Sequence, residues 1–174
     1  MAIVKITKND FDSLSDERLS WTCMEPTFRR IRGKNATIKS QAISELTEGQ
    51  QALCMFRVMY DHAINSAAEY YCWMSYLLDQ SGYWSGVMNG LNFFGDRSMI
   101  RLLEETKETF QARNLELGLT WGDAALRHLD EDKELLNVTG HLFERFQAVS
   151  TDSLKSISSY IRSHPEQFVL IDNR

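Results

Sequence analysis

EYYCWMSYLLDQSGYWSGVMNGLNFFGD, residues 69–96, gathers Tyr70, Tyr71, Trp73, Tyr76, Tyr83, Trp84, Phe93 and Phe94 into one short stretch. Tyr70, Trp73 and Leu77 follow the 3,4 spacing of a single helical face, whereas Tyr71 lies about 100° around from Tyr70. Both faces are therefore apolar, and a helix of that kind sits at the centre of a fold with other elements around it. The same rings carry a second reading. Tyrosine hydroxyls and tryptophan N–H groups need partners when buried, and His62, Asn65 and Glu69 lie close by in sequence. A half-polar cleft is thus the alternative to a sealed core, with His62, Asn65, Glu69, Tyr70, Trp73 and Trp84 as its expected ligand-binding set.

The flanks of this block set the helix boundaries. Thr47 to Gln50 has the S/T-x-x-E/Q form of a capping box and introduces Leu53, Phe56, Tyr60 and Ile64, spaced for one buried stripe. Ser66 to Glu69 repeats the form, so residues 61–66 separate two helices or kink one, and Glu69 is expected to reach back as a capping carboxylate. The second helix runs to about Leu78. A third, from about Trp84 to Phe94, carries Gly86 and Gly90 four residues apart, a spacing that implies close packing on another helix. Gly95 then suits a left-handed C-terminal position and Asp96 the next N-cap. Beyond it Met99, Leu102, Leu103, Thr106 and Phe110 share a face, with Arg101 and Glu105 expected to pair at i,i+4. Residues 118–122 break that helix. Asp123 is expected to cap a short helix through Leu129, a further helix carries Leu135, Val138, Leu142, Phe146 and Val149, and Asp152 is expected to start the last one, stopped before Pro165. Strand signals occur only at the ends, at Ile3, Val4 and Ile6 and at residues 168–171, where a short ribbon could bring the termini together. The expected fold is all-α: one domain of about seven or eight helices packed around residues 47–110.

Length and composition agree with this. A chain of 174 residues can bury roughly 70% of the surface it exposes when unfolded, and needs neither disulfides nor a metal to fold. Cys23, Cys54 and Cys72 are odd in number, widely spaced and without a CxxC pair, a pattern that fits a reduced, cytoplasmic protein. The N-terminal apolar stretch is too short for a signal peptide, and no run approaches the ~18 apolar residues of a membrane span. The net charge of −5 is unevenly spread. Arg29, Arg30, Arg32, Lys34 and Lys39 form a basic segment free of carboxylates. Residues 104–134 are acidic, with Glu104, Glu105, Glu108, Glu116, Asp123, Asp130, Glu131, Asp132 and Glu134 among them. These read either as two solvated faces or as a partner-binding dipole, and the expected partner-binding residues are Arg29, Arg30, Arg32, Glu104, Glu108, Asp130, Glu131 and Asp132.

Motif chemistry is sparse. His62, His128, His141 and His164 show no recurrent ligand spacing, and His141 with Glu144 has the reverse order of the ExxH unit of helical di-metal sites, so no metal or other cofactor is expected. There is no GxSxG, and Cys72 sits between Tyr71 and Trp73, where a thiol more often packs than reacts. Gly82, Gly86 and Gly90 match neither a P-loop nor GxGxxG. Direct nucleic-acid binding through residues 29–39, with Trp21 and Phe28 as stacking groups, is disfavoured in an acidic chain.

The order LTEGQQAL (46–53), Asn65 with Tyr70 and Tyr71, Ser81-Gly82, GLNFFGD (90–96) and MIRLLEE (99–105) resembles a small bacterial helical family best known for a DNA-mimic protein. The likeness covers roughly residues 44–112. Asn65 matches the motif asparagine, Tyr71 stands where an aromatic is usual, and Gly95 matches a later glycine, while Ser66 and Ala67 replace the two glycines that follow the asparagine. The resemblance implies a helical fold and, for part of the family, carboxylates laid out like duplex phosphates. The expected function is a non-enzymatic binding or regulatory module acting through a protein partner. Its rivals are a DNA mimic and a small-molecule-binding protein or enzyme that uses the aromatic cleft near His62, Glu69 and Tyr70.

Overall fold

Local capping chemistry places most of the helix starts. The computed structural model describes residues 4–172. In chain order they form β1 (Val4–Thr7), α1 (Lys8–Ser13), α2 (Asp16–Ile31), α3 (Ala36–Ser44), α4 (Glu48–Ala63), α5 (Ala67–Asp79), α6 (Tyr83–Phe93), α7 (Arg97–Leu117), α8 (Leu126–Glu131), α9 (Lys133–Ser163) and β2 (Val169–Asp172). Thr47 and Gln50 make the reciprocal box ahead of α4: the Gln50 N–H donates to Thr47 Oγ1 at 3.2 Å, and the Thr47 N–H donates to Gln50 Oε1 at 3.1 Å. Ser66 caps α5 by accepting from the Glu69 N–H at 3.1 Å. Gly95 adopts φ +70°, which leaves Asp96 free to cap α7 by accepting from the Met99 N–H at 3.0 Å.

The fold is all-α apart from one two-stranded sheet, and among the described residues it has nine α-helices rather than seven or eight. Part of the excess is α1, α2 and α3 in the first 44 residues, where no helix was expected. Three further expectations change. Asp152 does not begin a helix: α9 runs unbroken for 31 residues, because no glycine or proline interrupts it between Val149 and Leu154. Its polar stretch is absorbed by the fold, Ser150 and Ser153 being buried and Ser153 Oγ donating to the Val149 carbonyl at 3.1 Å. Asp123 lies in a 3₁₀ turn, Trp121–Asp123, and bonds back to Thr120, while α8 starts later, after Ala125. Arg101 does not pair with Glu105. Glu105 instead takes a two-pronged ion pair from Arg145, tying α7 to α9, and Arg101 donates to the Arg97 carbonyl.

The terminal strands pair, in parallel, with Val4 opposite Val169 and Thr7 opposite Asp172. A parallel pair needs a long crossover, which the whole helical body supplies. Ile3, the first residue of the expected strand, lies outside the described residues. Arg162 locks the same end of the molecule by donating to the Phe11 and Leu14 carbonyls at 2.7 and 2.6 Å.

One hydrophobic cluster reaches from Phe11 to Val169, and α5 lies within it. Tyr70 and Tyr71 are fully buried. Tyr70 packs on Phe146 of α9, ring centroids 5.0 Å apart, and Tyr71 meets Phe110 of α7 edge-on at 5.2 Å. Each large side chain buried this way contributes roughly 1.5–3 kcal/mol. The paired glycines of α6 serve contact with α4: a Cβ on Gly90 would stand 2.8 Å from the Ala52 carbonyl oxygen, so only glycine lets the two backbones meet there. Among the described residues no helix is long and apolar enough to cross a membrane.

Candidate functional site

The residues of α5 divide by angle. At about 100° per residue, Glu69, Cys72, Trp73, Tyr76 and Asp79 fall in one arc of roughly 120°, and Tyr70, Tyr71, Met74, Ser75 and Leu77 occupy the rest. The second group is buried throughout. The first lines an open cleft of about 390 Å³, together with His62 from the last turn of α4 and Trp121, Gly122 and Ala124 from the turn after α7.

Three rings of the lining, His62, Trp73 and Tyr76, form its floor, and Tyr83 abuts it from outside. His62 stacks on Trp73 with centroids 3.9 Å apart, Trp73 stacks on Tyr76 at 4.8 Å, and Tyr83 meets Tyr76 edge-on at 6.1 Å. The Trp73 Nε1–H donates to the Val58 carbonyl at 3.0 Å, so its polar atom is satisfied and its indole plane is fixed from behind. Tyr76 remains 40% exposed.

Carboxylates stand toward the ends of this floor. Glu69 does not complete a capping box; its Oε2 accepts from Asn65 Nδ2 at 3.0 Å, and the same amide donates to the Asp61 and His62 carbonyls. Asp79 is in the last turn of α5, and Gln80 Nε2 donates to it at 2.8 Å. The turn comes so near that a Cβ on Gly122 would lie 3.2 Å from Asp79 Oδ1. Among the described residues no lysine or arginine lines the cleft.

The expected ligand set therefore divides. His62, Glu69 and Trp73 line the cleft, and Asn65 steadies Glu69 from beside it. Tyr70 points the other way, and its hydroxyl contacts Thr106 Oγ1 at 2.7 Å. Thr106 gives its single proton to the Leu102 carbonyl, so Tyr70 is the donor. Trp84 is half-buried on α6 and outside the lining. Cys72, Tyr76, Asp79 and Trp121 were missed. The first three were legible as the 3,4-spaced companions of Glu69 and Trp73, whereas Trp121 arrives from a loop more than 40 residues along.

Burial and the nearby Glu69 hold the Cys72 thiol above its ordinary value, and burial pushes Cys23 and Cys54 up to about 12. Among the described residues nothing hydrogen-bonds the Cys72 thiol, so the cleft has a thiol without an activating base. His141 and Glu144 come within 3.9 Å on an exposed face, and no group of three or more His, Cys, Asp or Glu among the described residues is placed to hold a metal ion.

The charged residues expected to meet a partner also differ in status. Arg29 pairs with Glu25 at 2.9 Å and Arg30 with Glu45 at 2.7 Å, whereas Arg32 has no ion pair among the described residues. Glu104, Glu108, Asp130 and Glu131 are exposed and have no ion pair among the described residues. Asp132 is structural: it caps α9 by accepting from the Glu134 and Leu135 N–H groups, and Arg113 Nε donates to it at 2.5 Å, holding its carboxyl below the usual range. With Glu131, Leu117, Leu119 and the buried His128 it borders a second hollow of about 240 Å³. Comparison with protein-family models, curated proteins and solved structures finds no match to this chain. The site rests on its geometry.

Proposed function

We propose that the protein is a non-enzymatic binding module that engages a protein partner through the cleft on α5. The observation that carries this reading is a floor of aromatic rings, fixed from behind by the Trp73–Val58 hydrogen bond yet left open to solvent at Tyr76. Rigid aromatic surface of this kind is what hot spots of protein interfaces are made of. Catalysis has less support, since a thiol held above its ordinary value is a poor nucleophile at neutral pH. A small molecule has less support because His62, Glu69, Tyr76, Asp79 and Gly122 of the lining are all exposed. Such a cleft would leave much of a free ligand in water, where dedicated pockets bury roughly 70–90% of it.

DNA mimicry draws on Glu104, Glu108, Asp130 and Glu131. Arg113 and Arg145 interrupt that row by neutralising Asp132 and Glu105, which leaves a short patch rather than a duplex-like array.

The test is site-specific cross-linking in the cells that make the protein. A photoreactive residue at Tyr76 is expected to capture a discrete protein that the same residue at Ser40, exposed on α3, does not capture. The purified partner should then bind the wild-type chain and lose affinity for Tyr76→Ala. Turnover of a small substrate by the isolated protein would sink the proposal.

A further inference from the structure

Taking the cleft as the docking site, we infer that its occupant is an arginine side chain presented by a basic segment of the partner. The guanidinium lies over the Tyr76 ring and pairs with Asp79.

Four observations converge on this. First, the lining has exposed carboxylates at Glu69 and Asp79 and, among the described residues, no lysine or arginine, so its field favours a cation. Second, Asp79 stands where helix physics disfavours a carboxylate. The last turn of α5 contains Asp79 and no basic residue, and the negative end of the helix dipole adds to its charge. A position that serves only the fold would suit a lysine better, and one that receives a cation suits an aspartate. Third, the lining that contains this carboxylate also contains Tyr76 and Trp121, and tyrosine and tryptophan rings are the best partners for a planar cation; Trp73 is not available for this, because His62 and Tyr76 both stack on it.

Fourth, the protein already holds one arginine in this manner. Arg57 is only 4% exposed, with its guanidinium carbon 5.2 Å from the ring centroids of both Trp21 and Tyr60. Asp61 pairs with it, and Ser20 Oγ accepts from it at 3.1 Å. Two rings and a carboxylate make that cage. Tyr76, Trp121 and Asp79 offer the same chemical set on the surface, without an internal arginine. Arginine is preferred to lysine because a flat guanidinium can stack on a ring and reach a carboxylate with two N–H groups at once. Glu69 lies ten residues back along α5, roughly 15 Å at 1.5 Å per residue, far enough to attract a second basic residue of the same segment.

Cys72 supplies a built-in reporter, since it lines the cleft. The protein is treated with iodoacetamide at mildly alkaline pH, where more of the thiol is ionised, and the alkylation rate of Cys72 is followed by mass spectrometry in the presence of a blocked Gly-Arg-Gly-Arg-Gly peptide. Peptides with citrulline or lysine in place of arginine serve as the comparisons. The arginine peptide is expected to slow alkylation, with citrulline binding about tenfold more weakly and lysine binding less tightly than arginine. Asp79→Asn should weaken the arginine peptide by a similar factor, and it keeps the side-chain shape while removing the dipole conflict, so its folding is not at risk. Equal protection by the citrulline peptide, tighter binding of the lysine peptide, unchanged binding to Asp79→Asn, or no protection by arginine at all would each overturn the arginine assignment. The docking role of the cleft is judged separately by cross-linking at Tyr76: a partner captured there whose binding survives removal of its arginines would keep the cleft and discard its cation.

Discussion

The two sides of α5 are built from the same residue types and do opposite things. On one side Tyr70 and Tyr71 are sealed against Phe146 and Phe110, and on the other Trp73 and Tyr76 stack in the open beside Glu69 and Asp79. Aromatic content alone does not separate core from binding surface. What separates them is how far neighbouring elements cover the face: α7 and α9 seal the first, while the second has α4 along one edge, at Val58 and His62, and the turn at Trp121 beside it, and leaves Tyr76 40% exposed.

Truncation should split the two sides by the largest margin. Tyr71→Ala removes a fully buried ring and is expected to cost about 3–5 kcal/mol, as large-to-small core changes do. Tyr76→Ala removes a ring that is 40% exposed and should cost less than ~1 kcal/mol. Urea unfolding of both variants decides the matter, and equal losses would mean that the cleft side is also core.

Protonation offers the next contrast, between the closed Arg57 cage and the open cleft. Burial pushes Asp61 up to about 6, a rise that Arg57 limits. Its unfolded carboxyl titrates near ~3.9, so across that interval the native state keeps a proton the unfolded state has lost. The stability this group confers is therefore fully present below about pH 4 and declines as pH rises to about 6. Asp61→Asn should flatten that part of the stability profile measured by denaturant unfolding from pH 3.5 to 7. An unchanged slope would show that the cage does not shift this carboxyl.

Much of the fold was legible because its determinants are local. Thr47, Ser66, Gly95 and Asp96 mark boundaries within a few residues of themselves, and the stripe from Met99 to Phe110 is buried as its spacing requires. The continuity of α9 was not legible, since Ser150, Thr151 and Asp152 have the composition of a helix start and only tertiary burial of Ser150 and Ser153 overrides it. The candidate site was half legible. His62, Glu69 and Trp73 belong to it, but periodicity fixes the angle between Tyr70 and Tyr76 without saying which of them a neighbouring helix covers. Asp132 looked like one more surface acid because its ion pair with Arg113 spans 19 residues.

The entry to α5 gives a smaller effect. Ser66→Ala should lower stability by about 1 kcal/mol through loss of its bond from the Glu69 N–H. Glu69→Gln should change stability by less than ~0.5 kcal/mol, because the Glu69 side chain bonds to Asn65 on an exposed face and not to the cap. Equal losses in thermal unfolding would return Glu69 to a capping role and remove it from the cleft.

The smallest effect tests the sealed side from within. Tyr70 donates its hydroxyl proton to Thr106, whereas the Tyr71 hydroxyl oxygen is buried with no hydrogen-bond partner among the described residues. Removing a bonded hydroxyl forfeits roughly 0.5–1.5 kcal/mol, while removing an unbonded one relieves a desolvated polar atom. Tyr70→Phe should therefore be destabilised within that range, and Tyr71→Phe should match the wild type within ~0.5 kcal/mol or exceed it. A Tyr71→Phe loss as large as that of Tyr70→Phe would mean that the Tyr71 hydroxyl is held in solution, by water or by a neighbour, and that the covered face of α5 is less tightly closed than its packing against Phe110 indicates.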